Sequence, residues 1–532
     1  MRFTRRVFLL ELPDTDVIPT PLRIALRADA SARIGLGHVK RTIALALALR
    51  SLGAQVRLIT RDLGVDVGTL VEPAGLEISL LPRPTRKYDL SDHVPHAPWA
   101  GVGWQEDADA CVDKLAHWHP DWVVVDHYAF DARWHRQVAA ALGSRIGVID
   151  DLADRDLQAQ LLIDQNLSSD HRRKYLGRLP ARSRLLGGPR FALLDPKYAA
   201  LPAFGVHREV RSIGIFMGGV DATNLSSAAL RACREHARFE GVIEVVATRA
   251  NPHLTALQAL AEQWPNTIIQ RDLPNLVDFF WRHDMQLGAG GGAAWERCCV
   301  GAPTLALIAA DNQHVVLPHL AELGAVALLA PELSCDEAAI GREVTALMVD
   351  HERREVLSNR SRELVDGIGA KRVALCLLQG ALQLRAAGPA DADLLFDWRN
   401  HPASRAVSRN SNPIDRPDHE QWLAHTLGDV NRSLLIAHVG PVDVGVIRFD
   451  LRERAAEVSL YLDPALHGLG LGPTLLRAGE TRVLASNWPV DEFVAEVLPG
   501  NMSSQRLFEQ GGYRFEGSVG RKCIVQQLTG DP

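Results

Sequence analysis

Short apolar segments alternate with helix-length segments from residue 22 to about residue 202. The clearest apolar segments are 55–60, 122–126, 145–150 and 161–164, and all four end in Asp or Thr. Buried strands separated mostly by helix-length segments are typical of a parallel sheet with helices on both faces. The pattern therefore predicts an α/β domain over the first part of the chain.

The same pattern starts again after a Pro- and Gly-containing break at 202–205. A second α/β block opens with the apolar strand 212–217, and a third block opens near residue 382 and contains the alternating strand 457–462. Each block has its own opening strand and its own end, as separate domains do. The predicted division is an N-terminal extension over 1–21, two Rossmann-like domains over 22–205 and 206–380, and a smaller α+β domain over 382–532.

The composition of the chain argues against several classes of function. The chain has 532 residues, 47% of them hydrophobic and 23% charged, and a net charge of −6 without a basic stripe, which argues against nucleic-acid binding. No segment approaches the roughly 20 apolar residues that span a bilayer. The seven cysteines lack Cys-x-x-Cys spacing, so we predict a reducing, cytoplasmic location and no metal. Oligomeric state stays open.

A glycine-rich turn follows the first strand and leads to a histidine. The segment 27–41 contains Gly35, Gly37 and His38 just before a helical pattern. This places an ionisable ring near the carboxyl end of a strand, where open α/β sheets bind ligands. We predict an active site there.

The second block carries two glycine clusters, Gly218-Gly219 and 288–292, each between a strand and a helical pattern. Glycines let the backbone approach a phosphate, and a helix N-terminus supplies free N–H groups. Either cluster could hold a diphosphate. Glu296, early in the helix after the second cluster, is placed to bind ribose hydroxyls.

Ordered motifs over about 22–380 resemble the UDP-sugar hydrolases of pseudaminic-acid biosynthesis. The motifs are 27–31, 35–41, 126–128, 149–153, 163–166, 188–194, 291–299 and 312–313. The resemblance implies a GT-B-like pair of domains that cleaves UDP-2,4-diacetamido-2,4,6-trideoxy-β-L-altropyranose with water. The partner that the resemblance implies is a UDP-activated amino sugar.

The resemblance also implies roles for individual residues. His38 suits the general base for water, and either Asp29 or Asp126 orients its imidazole. From the residue patterns and the resemblance together, the predicted substrate-binding residues are Asp29, Gly37, Arg41, Tyr128, Gly218, Gly219, Gly291, Gly292, Glu296, Asn312 and Gln313.

The third block resembles the GNAT acetyltransferase superfamily over about 382–532. An alternating strand, the loop 467–472, a helix and a later Asn501/Ser504 helix occur in that superfamily's order. The loop matches its acetyl-CoA motif with His467 in the first place, and its backbone N–H groups would hold a pyrophosphate. The resemblance implies acetyl-CoA as cosubstrate, bound by Leu462, Gly468, Gly470, Gly472, Asn501 and Ser504.

Acetyl transfer to an amine requires a deprotonated amine, so Glu457 on the central strand is a candidate base. Many members of the superfamily have a Tyr where Phe508 stands, to protonate the departing thiolate. Here Tyr461, Tyr513 or no residue must serve.

Together the blocks predict a bifunctional enzyme that N-acetylates a UDP-4-amino sugar and then hydrolyses the product. Two alternatives stay open at this point. One is a GT-B glycosyltransferase with an accessory acetyltransferase, and the other is a sugar-nucleotide sensor whose GNAT domain only binds.

Overall fold

A computed structural model describes residues 20–85, 92–310 and 313–524. The chain forms two compact units: Arg23–Arg50 with Ala54–Ala374, and a second that consists mainly of Leu375 onward. We call them the first unit and the second unit. The extension predicted for 1–21 falls almost wholly outside the described residues.

The first unit begins with a seven-stranded parallel sheet in the order β3-β2-β1-β4-β5-β6-β7. Its strands are β1 (Arg23–Ala28), β2 (Gln55–Arg61), β3 (Glu77–Leu81), β4 (Trp122–Asp126), β5 (Arg145–Ile149), β6 (Leu161–Asp164) and β7 (Arg184–Gly187). Its helices are α1 (Gly37–Ser51), α2 (Gly68–Val71), α3 (Trp104–Leu115), α4 (Ala132–Leu142) and α5 (His171–Lys174).

A second, six-stranded parallel sheet follows in the order β10-β9-β8-β11-β12-β13. Its strands are β8 (Ser212–Phe216), β9 (Val242–Ala247), β10 (Thr267–Arg271), β11 (Met285–Ala289), β12 (Thr304–Leu307) and β13 (Ala327–Leu328). Its helices are α6 (Leu225–Arg231), α7 (Leu254–Ala261), α8 (Val277–Arg282), α9 (Gly292–Val300), α10 (Gln313–Glu322), α11 (Glu337–Val349), α12 (His351–Leu364) and α13 (Gly369–Leu377).

Both sheets have the doubly wound strand order, which confirms the predicted pair of Rossmann-like domains. In each sheet the order reverses beside the first strand, between β1 and β4 and between β8 and β11. Ligands bind such sheets in the crevice outside the carboxyl ends of the strands at this reversal. The strands are near-continuous apolar runs because helices cover both faces; all five residues of β4 are buried.

The second unit is a seven-stranded mixed sheet in the order β14-β15-β16-β17-β18-β20-β19. Its strands are β14 (Gln383–Ala386), β15 (Arg432–Val439), β16 (Val442–Arg452), β17 (Ala455–Leu462), β18 (Glu492–Glu496), β19 (Arg514–Glu516) and β20 (Val519–Cys523). Its helices are α14 (Ala392–Asn400), α15 (Pro402–Arg405), α16 (Arg416–Gly428), α17 (Leu471–Leu484) and α18 (Met502–Gln510).

One strand pair in this sheet is parallel. β17 and β18 pair only over Ala455–Glu457 and Glu492–Val494, although both strands continue beyond these residues. The two strands therefore separate just after Glu457, which opens the middle of the sheet.

The second unit begins earlier than the predicted residue 382. It begins at Leu375, inside α13, and the Cys376 thiol there lies 3.9 Å from the carbonyl oxygen of Leu469. The sequence pattern placed the boundary at the first strand of the domain, whereas the structure adds the last turn of the preceding helix. Among the described helices, none combines the length and apolarity of a membrane-spanning segment.

Candidate functional site

His38 lies in the first turn of α1, at the strand-order reversal of the first sheet. Its Nδ1 atom is 2.6 Å from Oδ1 of Asp126, the last residue of β4. When Nδ1 carries the proton and donates it to the carboxylate, the lone pair is on Nε2. An imidazole held in this tautomer can accept a proton from water.

Arg41 holds the same carboxylate from the next turn of α1. Its Nε donates to Asp126 Oδ2 at 2.6 Å and its Nη2 to Oδ1 at 2.5 Å. Burial opposes ionisation of Asp126, but the charges of Arg41 and His38 outweigh it and keep its pKa well below the usual range. The predicted substrate-binding Arg41 thus also fixes the partner of His38, and Gly37 is the first residue of α1.

Tyr128 packs edge-on against His38, with ring centroids 4.7 Å apart. Its hydroxyl donates to Asp151, and burial, followed by the charge of Asp151, raises its pKa well above the usual value. Asp151 also accepts from Asn166 Nδ2 at 2.8 Å, and Asn166 Oδ1 accepts from Trp295 Nε1 on α9 at 3.1 Å. This chain of contacts connects the surroundings of His38 to the first helix after β11.

Asp151 and Asn166 were not predicted as site residues. Asp151 directly follows Asp150 and Asn166 lies two positions after Asp164, so closeness to an aspartate at the end of an apolar segment was the available signal in the sequence.

Asp29 does not contact His38. It is fully buried, is paired with the Arg27 guanidinium, and accepts from the Arg61 backbone N–H at 2.6 Å. Its Oδ2 lies 3.2 Å from Nε2 of His127, for which the sequence suggested no role. Of the two candidate carboxylates, the structure therefore pairs Asp126 with the imidazole and gives Asp29 a structural position instead of the predicted substrate contact.

We expect Asp29→Asn to lower the free energy of unfolding by about 3 kcal/mol at neutral pH, because it leaves buried positive charge less well compensated. Burial disfavours the Asp29 carboxylate, but Arg27 and His127 outweigh this and lower its pKa. Stability from a lowered pKa is present above the unfolded-state pKa of about 4 and is lost as pH falls below it. Urea unfolding at pH 7 and at about pH 2.5, below the unfolded-state pKa, measures both effects.

The matched control is Asp113→Asn, at an exposed position of α3, which should leave the unfolding midpoint unchanged. Equal stability of the Asp29 and Asp113 variants at pH 7 would contradict the structural role of Asp29.

The two glycine clusters of the second sheet differ in whether a side chain already caps the N-terminus of the helix that follows. After Gly218-Gly219, the Asp221 carboxylate caps α6 by accepting from the N–H groups of Leu225 at 2.8 Å and Ser226 at 3.0 Å. An anion would have to compete with this built-in carboxylate. The first of the two clusters is thus the weaker diphosphate candidate.

In the second cluster, Gly291 is the N-cap of α9, has φ 82° and makes no side-chain cap hydrogen bond. Gly292 is the first residue of α9, and the backbone of both residues is exposed to solvent. A positive φ favours glycine, and an uncapped helix N-terminus attracts anions.

Glu296 and Gln313 lie next to this loop. Burial raises the pKa of Glu296, against the opposing charge of Lys40 on α1. The side-chain Oε1 of Gln313 accepts from Gly290 N at 3.2 Å and from Ala309 N at 2.9 Å, so this side chain holds the loop in place. The predicted Asn312 lies outside the described residues.

Three side chains in the second sheet domain meet the spacing of a metal site. Glu235, His236 and Glu337 place one potential ligand atom each within 4.8 Å of the others. The cluster is largely exposed, and Glu337 already accepts from Arg231 Nε at 2.7 Å. Because Glu337 is far from Glu235 and His236 in the sequence, residue spacing does not reveal this cluster.

The second unit places its glycine loop at the start of α17. Gly468 and Gly470 have φ 79° and 64°, and Gly470 is the N-cap of α17 without a side-chain cap. Gly472 lies in the first turn, where an added Cβ would meet Leu507 at 3.3 Å. The loop therefore combines left-handed glycines with an uncapped helix of 14 residues.

Comparison with known proteins identifies this unit. Residues 381–514 match the family model for the acetyltransferase (GNAT) domain. The putative phosphinothricin acetyltransferase YwnH of Bacillus subtilis is 31% identical over 119 residues, which are 21% of this chain and 70% of YwnH. The chain belongs to the GNAT acetyltransferase family. This membership confirms acetyl-CoA as the predicted cosubstrate.

The first unit has a relative of its own. The spore coat polysaccharide biosynthesis protein SpsG of Bacillus subtilis is 23% identical over 261 residues, 48% of this chain and 76% of SpsG. Because 261 residues exceed the length of the second unit, the match includes the first. The calicheamicin glycosyltransferase CalG4 is 17% identical, with a TM-score of 0.45, over 67% of this chain and 97% of its own. The chain thus joins a unit of two Rossmann-like domains, similar in sequence to SpsG, to a GNAT domain.

Glu457 of the GNAT domain lies at the last paired position before β17 and β18 separate. Its carboxylate is 3.0 Å from Arg452 Nη2 and 3.9 Å from Arg409 Nη2. On the later helix, Asn501 caps α18 by accepting from Ser504 N at 3.1 Å. Leu462 is the last residue of β17.

The two candidate tyrosines differ in their partners. The Tyr513 hydroxyl donates to Glu480 at 2.8 Å, and burial raises its pKa well above the usual value. Tyr461 is on β17, on the same face as Glu457, and burial raises its pKa as well. Phe508 is buried. Of the two, Tyr461 lies on the strand that also carries Glu457, whereas the Tyr513 proton is committed to Glu480.

Proposed function

We propose that the chain is a bifunctional enzyme of pseudaminic-acid biosynthesis. The GNAT domain N-acetylates a UDP-4-amino sugar. The first unit hydrolyses UDP-2,4-diacetamido-2,4,6-trideoxy-β-L-altropyranose, the product, to UDP and the free sugar.

The hydrogen-bonded pair of His38 and Asp126 carries the proposal for the first unit. A nucleotide sugar already has a good leaving group, so the chief requirement is a base for water. His38 Nε2 accepts a proton from water as the water oxygen attacks the anomeric carbon. Asp126, kept ionised by Arg41, stabilises the imidazolium that forms.

The leaving group departs on the opposite side. As the bond between the anomeric carbon and the phosphate oxygen breaks, its electron pair passes to UDP. The exposed N-terminus of α9, at Gly291 and Gly292, supplies N–H groups and the positive end of the helix dipole to that diphosphate.

In the GNAT domain, the amine nitrogen attacks the thioester carbon of acetyl-CoA and the CoA thiolate leaves. Glu457 takes the proton that the amine loses, directly or through water, and the thiolate takes a proton from Tyr461 or solvent. The opening between β17 and β18 beside Glu457 supports this arrangement because it gives the thioester access to the carboxylate.

The two reactions form a sequence because the acetamido group made by one domain is part of the substrate of the other. We expect the full-length protein, given the UDP-4-amino sugar and acetyl-CoA, to release CoA first and UDP afterwards. Mass spectrometry and NMR of the products test this order.

The same assay separates the alternatives. UDP release that requires an added sugar acceptor would make the first unit a glycosyltransferase. Binding of both nucleotides without release of CoA or UDP would make the protein a sensor.

We expect Glu457→Gln to slow CoA release about 10²-fold or more, since general-base catalysis contributes about 10²–10⁴-fold. Acetylation by the wild type should increase with pH through the pKa of the sugar amine, because only the uncharged amine attacks. The rate of the variant at high pH should approach that of the wild type. Thiol release at several pH values measures this.

Glu516→Gln, an exposed glutamate on β19, is the matched control and should match the wild type. A Glu457→Gln profile equal to the control's at every pH would remove Glu457 from the reaction.

A further inference from the structure

Three rings form one wall of the crevice beside His38. Trp99 has its ring centroid 5.6 Å from Tyr128 and 4.7 Å from His96, and His96 is 5.6 Å from Tyr128. We call His96, Trp99 and Tyr128 the aromatic wall. Its Trp99 ring is 6.2 Å from the His38 ring at an interplanar angle of 88°, and Tyr128 is 4.7 Å away.

The wall is not simply part of the hydrophobic core. Trp134 of the same sheet domain is fully buried, whereas Trp99 packs against the core and is only partly buried. The His96 side chain is 29% exposed, with Nδ1 3.3 Å from Asp154 Oδ2. Large apolar surface that is left open beside a candidate base is available to a ligand.

We propose that the aromatic wall binds the apolar part of the sugar and that Trp99 determines specificity for a 6-deoxy, N-acetylated sugar. This inference rests on the proposed hydrolase function and names the residues that read the substrate's methyl groups. His96, packed edge-on against Trp99, is a positioning residue.

Distances from the base support contact between the wall and the sugar. A water molecule activated by His38 lies about 3 Å from Nε2, and the anomeric carbon lies about 3 Å further on. The reacting carbon is therefore about 6 Å from the imidazole, which is close to the 6.2 Å that separates the Trp99 ring from it and beyond the 4.7 Å of the Tyr128 ring. A pyranose ring on the side of the imidazole that faces Tyr128 and Trp99 lies within contact distance of the wall.

The chemistry of the wall favours methyl groups over hydroxyl groups. Aromatic faces contact C–H groups well but cannot replace the hydrogen bonds that a hydroxyl makes with water. The one hydroxyl in the wall, on Tyr128, donates its proton to Asp151. Apolar pockets discriminate by about 10–200-fold for one methyl or methylene group.

The test compares two UDP-sugars of the same stereochemistry, the 6-deoxy diacetamido sugar and its 6-hydroxy counterpart. We expect Trp99→Ala to lower kcat/KM for the 6-deoxy sugar about 10–100-fold and to lower it much less for the 6-hydroxy sugar. Trp99→Phe should keep most of the preference. Trp281→Ala, at a 40% exposed tryptophan on α8, is the matched control and should change neither value.

Binding of UDP alone, measured by calorimetry, shows that each variant is folded. An equal loss of kcat/KM for both sugars, or no loss for either, would overturn the specificity role of Trp99. If the wild type releases UDP from neither sugar, the hydrolase proposal fails. Calorimetry with the two sugars then still tests the wall: an affinity difference that Trp99→Ala abolishes supports it, and equal affinities overturn it.

Discussion

We expect His38→Ala to reduce UDP release about 10²–10⁴-fold while UDP-sugar binding stays close to that of the wild type. The substitution removes the base for water but leaves the α9 N-terminus, the candidate diphosphate site, unchanged. In this variant the hydrolysis rate should therefore fall, while the UDP-sugar affinity measured by calorimetry should stay close to that of the wild type.

Asp126→Asn tests the same pair through the residue that sets the tautomer of His38. An amide can donate to His38 Nδ1, which places the imidazole proton on Nε2, where it cannot accept one from water. We expect a loss of about 10³–10⁴-fold. His117→Ala, at an exposed histidine in the same unit, is the control. Wild-type turnover by His38→Ala would exclude His38 from the mechanism.

The second large effect is expected at the acetyl-CoA loop. Gly470 has φ 64° and caps α17, so Gly470→Asp adds backbone strain, a side chain and a negative charge where the pyrophosphate would bind. We expect acetyl-CoA affinity to fall at least about 100-fold, since a charge-assisted contact is replaced by repulsion. Calorimetric titration with acetyl-CoA measures it.

Gly517→Asp separates backbone strain from the effect on the ligand. Gly517 has the same φ of 64° in the turn between β19 and β20, and an added Cβ there meets open space. Both variants should lose similar stability on thermal unfolding, but only Gly470→Asp should lose acetyl-CoA binding. Equal affinities in the two variants would move the cosubstrate site away from this loop.

Much of the architecture follows from local sequence alone. The strands at 122–126 and 161–164 were predicted at the bounds seen for β4 and β6, because buried parallel strands are short apolar runs with sharp ends. The glycine turns before α1, α9 and α17 were equally visible, since few other residues adopt their backbone conformations.

Which strand-end carboxylate serves His38 was decided only by the tertiary structure. Asp29 directly follows β1 and Asp126 ends the adjacent β4, and both satisfied the sequence argument. Asp126 is 88 positions from His38 and meets it through the packing of α1 against the sheet. Arg27, two positions before Asp29 and hence on the same side of the strand, captures that carboxylate instead.

The candidate diphosphate site and the aromatic wall depend on the tertiary structure for the same reason. Asp221 caps the helix after the first glycine cluster, whereas no side chain caps the helix after the second. Trp99 lies beside His38 although it is 61 positions away in the sequence. Local propensity determines where strands, turns and helices form, because it depends on neighbouring residues. Which side chains share a buried partner depends on contacts between distant segments, and only the folded chain makes those contacts.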